Sequence, residues 1–316
     1  MLAETFTGDE DLYLLEQQFR YTYASPVRRL RHRLVVVPRA VHGGQYRFDH
    51  GLKVSGVPAR VTVTSDSFAN HVVELHAFTV SEWIEFDTWA LLRSPASGGV
   101  VELSLTSFDF RDLLAATPLT QANETLAEAA RDLSAASSGG LDFAERACAW
   151  SHEALTYQYG VTDVRTNAAM ALAGGKGVCQ DYAHVMLALC RSAGLPARYV
   201  SGHLVGEGGS HAWVEVVVSD PSAQVTGRAV AVAFDPTHNR RASQGYFTVA
   251  VGRDYDHVAP TSGTFEGAGP SVLSARKRLS RADPDSAADY ATTRSADAYI
   301  PDRLECKDSA ADGDHW

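Results

Sequence analysis

The sequence predicts an α+β protein: an N-terminal antiparallel β-sandwich domain followed by a domain of mixed helix and sheet. Three observations carry this. β-rich runs punctuated by turn residues extend to about residue 108. An Ala-rich stretch with helical spacing begins near residue 110. Further on, a helix apolar almost all round is followed directly by three strands. The 316 residues suit two domains at roughly 100–200 residues each.

In order, the expected strands include Tyr21 and Tyr23, Leu34 to Val37, Ala59 to Thr64, Val72 to Leu75, Phe78 to Phe86 and Val100 to Leu105. Val61 and Val63 alternate with Thr62 and Thr64, the period-2 pattern of a half-buried strand. Turn signals separate the runs: Gly43-Gly44, Gly51, Gly56 with Pro58, Asp66 to Asn70, and Gly98-Gly99. Leu126, Ala129, Ala130 and Leu133 share one helical face. Asp142 is the expected cap of the next helix, which runs to about Tyr157, with Glu145 as its return partner. After the loop Gly174-Gly175-Lys176-Gly177, a buried helix spans Cys179 to Ala193; Gly194 stops it and Pro196 prevents continuation. An antiparallel meander follows: Arg198 to Val205, His211 to Val218 and Ala229 to Phe234. From Gly267 onward the only large aliphatic or Trp residues are Val272, Leu273, Leu279, Ile300, Leu304 and Trp316. That poverty predicts disorder, apart from a short strand or helix near Val272 to Leu279. The expected organisation is 1–110 for the sandwich, 111–266 for the mixed domain and 267–316 for a mostly disordered tail.

Composition excludes several functions. There are 28 Lys and Arg against 38 Asp and Glu, a formal charge of −10, so no footprint for nucleic acid or an anionic membrane is expected. No apolar run reaches membrane-spanning length, and the acidic N-terminus lacks the apolar core of a secretory signal. Cys148, Cys179, Cys190 and Cys306 form no CxxC pair, which fits a reduced, cytoplasmic setting in which a single cysteine can be catalytic. No metal or cofactor is expected. HExxH is absent, and His211 and His238 have no cysteine pair to complete a zinc set. No acidic loop has EF-hand spacing. The loop 174–177 lacks the Ser or Thr of a P-loop, and 206–210 lacks the third glycine of a dinucleotide fingerprint.

Cys179 stands out. It follows a glycine loop and opens a buried helix, where free N–H groups and the helix dipole favour a thiolate. A thiolate nucleophile needs a base and a group that orients the base. His211 opens one strand and Asp235 ends the next, so neighbouring strands bring the two together in the order of a Cys–His–Asp triad. Each residue alone has a plainer reading: a small buried thiol, a strand histidine, a turn-capping carboxylate.

Residues 177–204 (GVCQDYAHVMLALCRSAGLPARYVSGHL), 210–216 (SHAWVEV) and 234–238 (FDPTH) resemble the core of the transglutaminase-like superfamily, nearest to its bacterial cysteine peptidase type. Residues 21–39, 66–70 (DSFAN) and 252–267 resemble that type's N-terminal β domain and closing segment, so the likeness covers roughly residues 18 to 267. It implies a papain-like core with Cys179 as nucleophile, His211 as general base then acid, and Asp235 as orienting acid. It implies a protein or peptide substrate and acyl transfer through a Cys179 thioester. Hydrolysis, glutamine transamidation and peptide binding without turnover stay open, as does the oligomeric state.

The Cys179 N–H is the first oxyanion donor, with Tyr157 and Gln180 as candidates for the second. Asp181 and His184 read as a structural network. Trp213 shares a strand face with His211, either shielding the cleft or packing in the core. Two departures from the family pattern are visible: Arg228 to Ala231 replaces the usual Gly-Trp, and Ala69 stands where glycine is usual. If Asp235 only holds the His211 tautomer, Asp235→Asn would spare stability while lowering turnover.

Overall fold

The computed structural model describes residues 12–93, 100–104, 110–218 and 228–283. The chain begins with β1 (Leu12–Tyr23), β2 (Val27–Leu34), β3 (Val41–His42), β4 (Gln45–Ser55), β5 (Arg60–Ser65), β6 (His71–Val80) and β7 (Trp83–Arg93). Next come β8 (Val100–Ser104), α1 (Arg111–Leu114), α2 (Glu124–Ala136), α3 (Gly140–Ala154), β9 (Thr156–Tyr157), α4 (Ala168–Gly174), β10 (Lys176–Gly177) and α5 (Cys179–Ser192). Then follow β11 (Ala197–Leu204), β12 (His211–Val218), β13 (Arg228–Asp235), β14 (Arg240–Arg241), β15 (Tyr246–Gly252), α6 (Tyr255–Val258), β16 (Thr261–Glu266) and β17 (Ser271–Arg281).

Period-2 alternation builds the sandwich. Leu15, Gln17 and Phe19 on β1, and Leu30, His32 and Leu34 on β2, are buried while their neighbours are more exposed. One sheet has the order β17-β1-β7-β4-β3 and the other β16-β2-β6-β5. Phe19, Leu52, Ile84 and Phe86 of the first sheet pack on Leu30, Leu34, Val73 and Leu75 of the second.

Several expected boundaries move. Phe78 to Phe86 is two strands joined by a tight turn at Ser81-Glu82, where the Glu82 carbonyl accepts from the Tyr23 N–H at 2.9 Å. Gly51 lies inside β4, opposite Trp89. The sandwich is not made by residues 1–110 alone. β16 and β17, from the far end of the chain, each close one sheet, and β17 pairs with β1 from Tyr13↔Arg281 to Tyr23↔Ser271. Ser271–Arg281 is therefore ordered strand rather than tail. β8, counted with the sandwich in the sequence, pairs instead with β13. Gly98-Gly99, Cys306 and the rest of the tail from 284 lie outside the described residues.

The second domain is a sheet, β14-β13-β12-β11-β15, wrapped around α5 with α2, α3 and α4. Asp181 to Arg191 of α5 are all buried, as the all-round apolar pattern requires. Ala-rich faces of α2 and α3 let their backbones approach it, and Ala130, Ala144 and Ala147 sit in the shared core. The expected Asp142 cap does not form: Gly139 is the N-cap and Asp142 accepts from the Ser138 N–H at 2.8 Å, while Glu145 pairs with Arg241.

β15 escapes sequence reading because all seven of its residues are buried, leaving no alternation. It is the terminal strand of its sheet, and side-chain amides of the sandwich satisfy its outer edge. Gln45 donates Nε2 to the Thr248 carbonyl and accepts the Thr248 N–H, both at 2.8 Å. Asn70 does the same to Val251, at 2.7 and 2.9 Å. A Glu215 carboxylate on β12 adds a buried tie: Oε1 accepts from His42 Nε2 at 2.6 Å and Oε2 from Arg198 Nε at 2.7 Å. Burial opposes its charge, but Arg198 and His42 outweigh that and hold the carboxyl at about 2.

The turn that aims Asn70 stores strain. Ala69 has φ +57°, in the left-handed region, and Asp66 Oδ1 accepts from the N–H groups of Phe68 and Asn70 at 3.0 and 2.9 Å. Two outcomes follow. Ala69→Gly should raise the urea midpoint, by up to about 1 kcal/mol, because glycine accepts that φ freely. Asn70→Ala should cost about 2–4 kcal/mol by the same measurement, because it orphans a buried N–H and a buried carbonyl.

Candidate active site

Local geometry delivers Cys179 to the surface of the core. Gly175 ends α4 at φ +62°, and at Gly177 a Cβ would fall 2.6 Å from Asp181. Asp181 Oδ2 accepts from the Val178 N–H at 2.8 Å and from Thr162 Oγ1 at 2.7 Å, closing the first turn of α5 from behind. Cys179 is thus the first helical residue, partly exposed, with free N–H groups and the positive helix end around its side chain. Asp181 and its neighbour His184 serve structure: burial pulls the His184 imidazole down to about 4, and its Nε2 accepts from the Tyr255 N–H at 3.3 Å.

The sheet supplies the partners. Val214 pairs with Phe234, so Asp235 falls opposite Trp213 and diagonally across from His211 on one face. His211 Nε2 donates to Asp235 Oδ2 at 2.8 Å. The other nitrogen, Nδ1, is left free of Asp235 and lies 3.3 Å from Glu207 Oε2, and Cys179 is near enough to raise the pKa of the ring. His211 and Asp235 are buried. Burial alone would lower the His211 pKa, but the hydrogen bonds to Asp235 and Cys179, with their charges, raise it to about 10. Burial would likewise raise Asp235; its bonds to His211, Tyr246 and His238 instead hold it well below the ordinary carboxylate range.

Asp235 gathers more partners than His211 alone. Oδ2 also accepts from Tyr246 Oη at 2.6 Å and His238 Nδ1 at 2.7 Å, and Oδ1 accepts from the N–H groups of Thr237 and His238 at 2.9 and 3.2 Å. The ligand atoms of His211, Asp235 and His238 lie within 4.8 Å of one another, and these hydrogen bonds account for the cluster.

The other sequence candidates separate. The β9–β10 ladder sets Tyr157 opposite Gly177, two residues before Cys179; Tyr157 is half exposed, and burial followed by Cys179 raises its pKa. Gln180 turns away, its Nε2 3.4 Å from the Asp163 carbonyl. Trp213 does not wall the cleft. It is 1% exposed, stacked beneath His211 with ring centroids 6.2 Å apart, and Gly202 makes room for it, since a Cβ there would sit 2.4 Å from its ring. Burial pushes the Cys148 and Cys190 thiols to about 12, leaving both inert.

Three neighbours escaped sequence reading. Glu207 on the β11–β12 turn lies 3.3 Å from both His211 Nδ1 and His238 Nε2. Tyr246 and Lys277 come from strands distant in sequence. His238 was legible in FDPTH, but only as a possible metal ligand.

Residues 127–224 match the model of the transglutaminase-like superfamily core, and residues 13–86 that of the bacterial transglutaminase-like N-terminal region. An uncharacterized protein of Mycobacterium leprae is 32% identical over 231 residues, covering 70% of this chain and 74% of that protein. The chain belongs to the transglutaminase-like superfamily. An uncharacterized Mycobacterium tuberculosis protein is 36% identical over 119 residues, 34% of this chain and 37% of its own. The crystal structure of a candidate cysteine protease from Cytophaga hutchinsonii shares the fold, with a TM-score of 0.69 at 19% identity, covering 88% of this chain and 93% of that one.

The network changes one expectation. Asp235→Asn places an amide against donors that need an acceptor, so both turnover and melting temperature should fall, the latter by well over the few degrees of a surface change. Calorimetry beside a rate assay reads both. The pH dependence has a definite sign. The folded His211 pKa lies above its ordinary 6.5, so the stability it contributes is complete below pH 6.5 and fades as the pH rises to about 10. Asp235 is depressed, so its contribution holds above the ordinary carboxylate range and disappears in acid. Urea unfolding of wild type and His211→Gln should differ more at pH 6 than at pH 10.

Proposed function

We propose that this superfamily member is a thiol acyl-transfer enzyme that hydrolyses peptide or glutamine amide bonds, a cysteine peptidase or amidohydrolase working in a reducing, cytoplasmic setting. The observation that carries the reading is buried His211, bonded through Nε2 to Asp235 at 2.8 Å, with Cys179 close enough to support the charge of its ring. An imidazolium beside a thiolate at a helix start is the resting state such chemistry uses.

The Cys179 thiolate attacks the carbonyl carbon and an S–C bond forms. The oxyanion is held by the Cys179 N–H, with Tyr157 Oη as the second donor. His211 gives its Nδ1 proton to the leaving amine as the C–N bond breaks. Water then attacks the thioester, His211 takes its proton, and the acid departs as the thiolate reforms. Asp235 keeps Nε2 protonated throughout, so that Nδ1 faces the reaction.

Hydrolysis is favoured over transfer because Trp213 lies under the histidine rather than over the thioester, and Tyr157 is open to solvent. An unshielded thioester meets water in large excess over any amine.

An acylating peptide or ester should leave an adduct at Cys179 visible by mass, absent in Cys179→Ala, and turnover should fall roughly 10³-fold or more in Cys179→Ala and in His211→Ala. With millimolar primary amine present, free acid should remain the main product. Dominant amide product would make the protein a transamidase; substrate bound intact, with neither product, would make it a peptide-binding module.

A further inference from the structure

β17 carries a lysine into the candidate site. Lys277 pairs with Gln17 in the β1 register, and its Nζ donates to Ser210 Oγ at 3.1 Å. Ser210 is the residue immediately before His211. The ammonium lies 5.4 Å from the centre of the Phe19 ring, an apolar wall that limits its hydration. Burial draws its pKa down to about 8, and Cys179 acts weakly in the opposite direction. His203, buried and held neutral at about 3 chiefly by burial, also faces it. Among the described residues Lys277 forms no salt bridge. The same strand carries Arg276, Arg278 and Arg281, a basic stretch on a chain of net charge −10.

Under the acyl-transfer reading Cys179 works as a thiolate, and that negative charge would balance this ammonium. Acylation removes that balance, because the sulfur becomes a neutral thioester and His211 has passed its proton to the leaving amine. A partly desolvated cation is then left facing the acyl group. An acyl group that brings its own negative charge restores the pairing; a neutral one does not. We propose that Lys277 and Ser210 form an anion subsite beside Cys179 that selects acyl donors bearing a carboxylate close to the scissile carbonyl. This deepens the acyl-transfer reading and rests on it for its biological meaning, but the subsite itself can be tested without turnover.

The probes are iodoacetate and iodoacetamide, which both alkylate a thiolate with loss of iodide and differ in charge. Alkylation of Cys179 in the full chain is followed by peptide mass. Lys277→Met, which keeps the apolar stem, should slow iodoacetate about tenfold, the equivalent of one charge-assisted hydrogen bond. Iodoacetamide should slow by less than about twofold, and Lys277→Arg should retain most of the iodoacetate rate. Ser210→Ala should give a smaller loss of the same selectivity, which keeps the test available if Lys277→Met does not fold. Equal slowing of both reagents would overturn the proposal and reduce Lys277 to support of the thiolate. No change with either reagent would remove Lys277 from the site altogether. Charge-selective labelling without any acyl-enzyme would leave the subsite standing and sink the hydrolase reading instead.

Discussion

The burial of one carboxylate governs this site. Asp235 ends β13 with no solvent exposure, a position no bare charge could occupy. It is tolerated because both oxygens are fully occupied: two histidine rings, a tyrosine hydroxyl and two backbone N–H groups converge on it. That arrangement settles the tautomer and tilt of His211, and hence which nitrogen meets Cys179. It also ties the end of β13 to Tyr246 at the start of β15. The loss of any single donor therefore disturbs more than one strand.

Holding that geometry is a task shared by both domains. β12 carries His211 at one end and Glu215 four residues on, and Glu215 is clamped between Arg198 and His42 of the sandwich. β15 carries Tyr246, and its outer edge is sealed by Gln45 and Asn70, again from the sandwich. These amides do for the last strand what another strand would do, so the sheet ends without an open row of backbone groups. The sandwich thereby acts as a brace for β12, which carries His211, and for β15, whose Tyr246 bonds Asp235.

The mouth of the site is electrostatically uneven. Glu207 lies on the Nδ1 side of His211, and Lys277 bonds Ser210, the residue before it. A released amine takes up a proton and gains from a nearby carboxylate, whereas a thiolate gains from a nearby ammonium. That polarity is the one the proposed acyl transfer would use.

Much of this was legible in the order of residues, because much of it is local. Period-2 alternation marked the strands of the sandwich, all-round apolarity marked α5, and Gly194 and Pro196 marked its end. The spacing of Cys179, His211 and Asp235 along a helix start and two meander strands pointed to their meeting, since neighbours in a meander are neighbours in space. What the sequence could not express was pairing over long range. A strand's residues do not state which edge it will join, so β8 went to β13, and β16 and β17 closed sheets begun more than 200 residues earlier. Lys277 sat in a segment legible only as a short strand or helix within a tail, and pairing with β1 decided that it is a strand of the first sheet. Ring placement was equally out of reach: Trp213 shares a face with His211 in any reading, and only the packing of Gly202 and Tyr246 decided that it lies beneath the histidine.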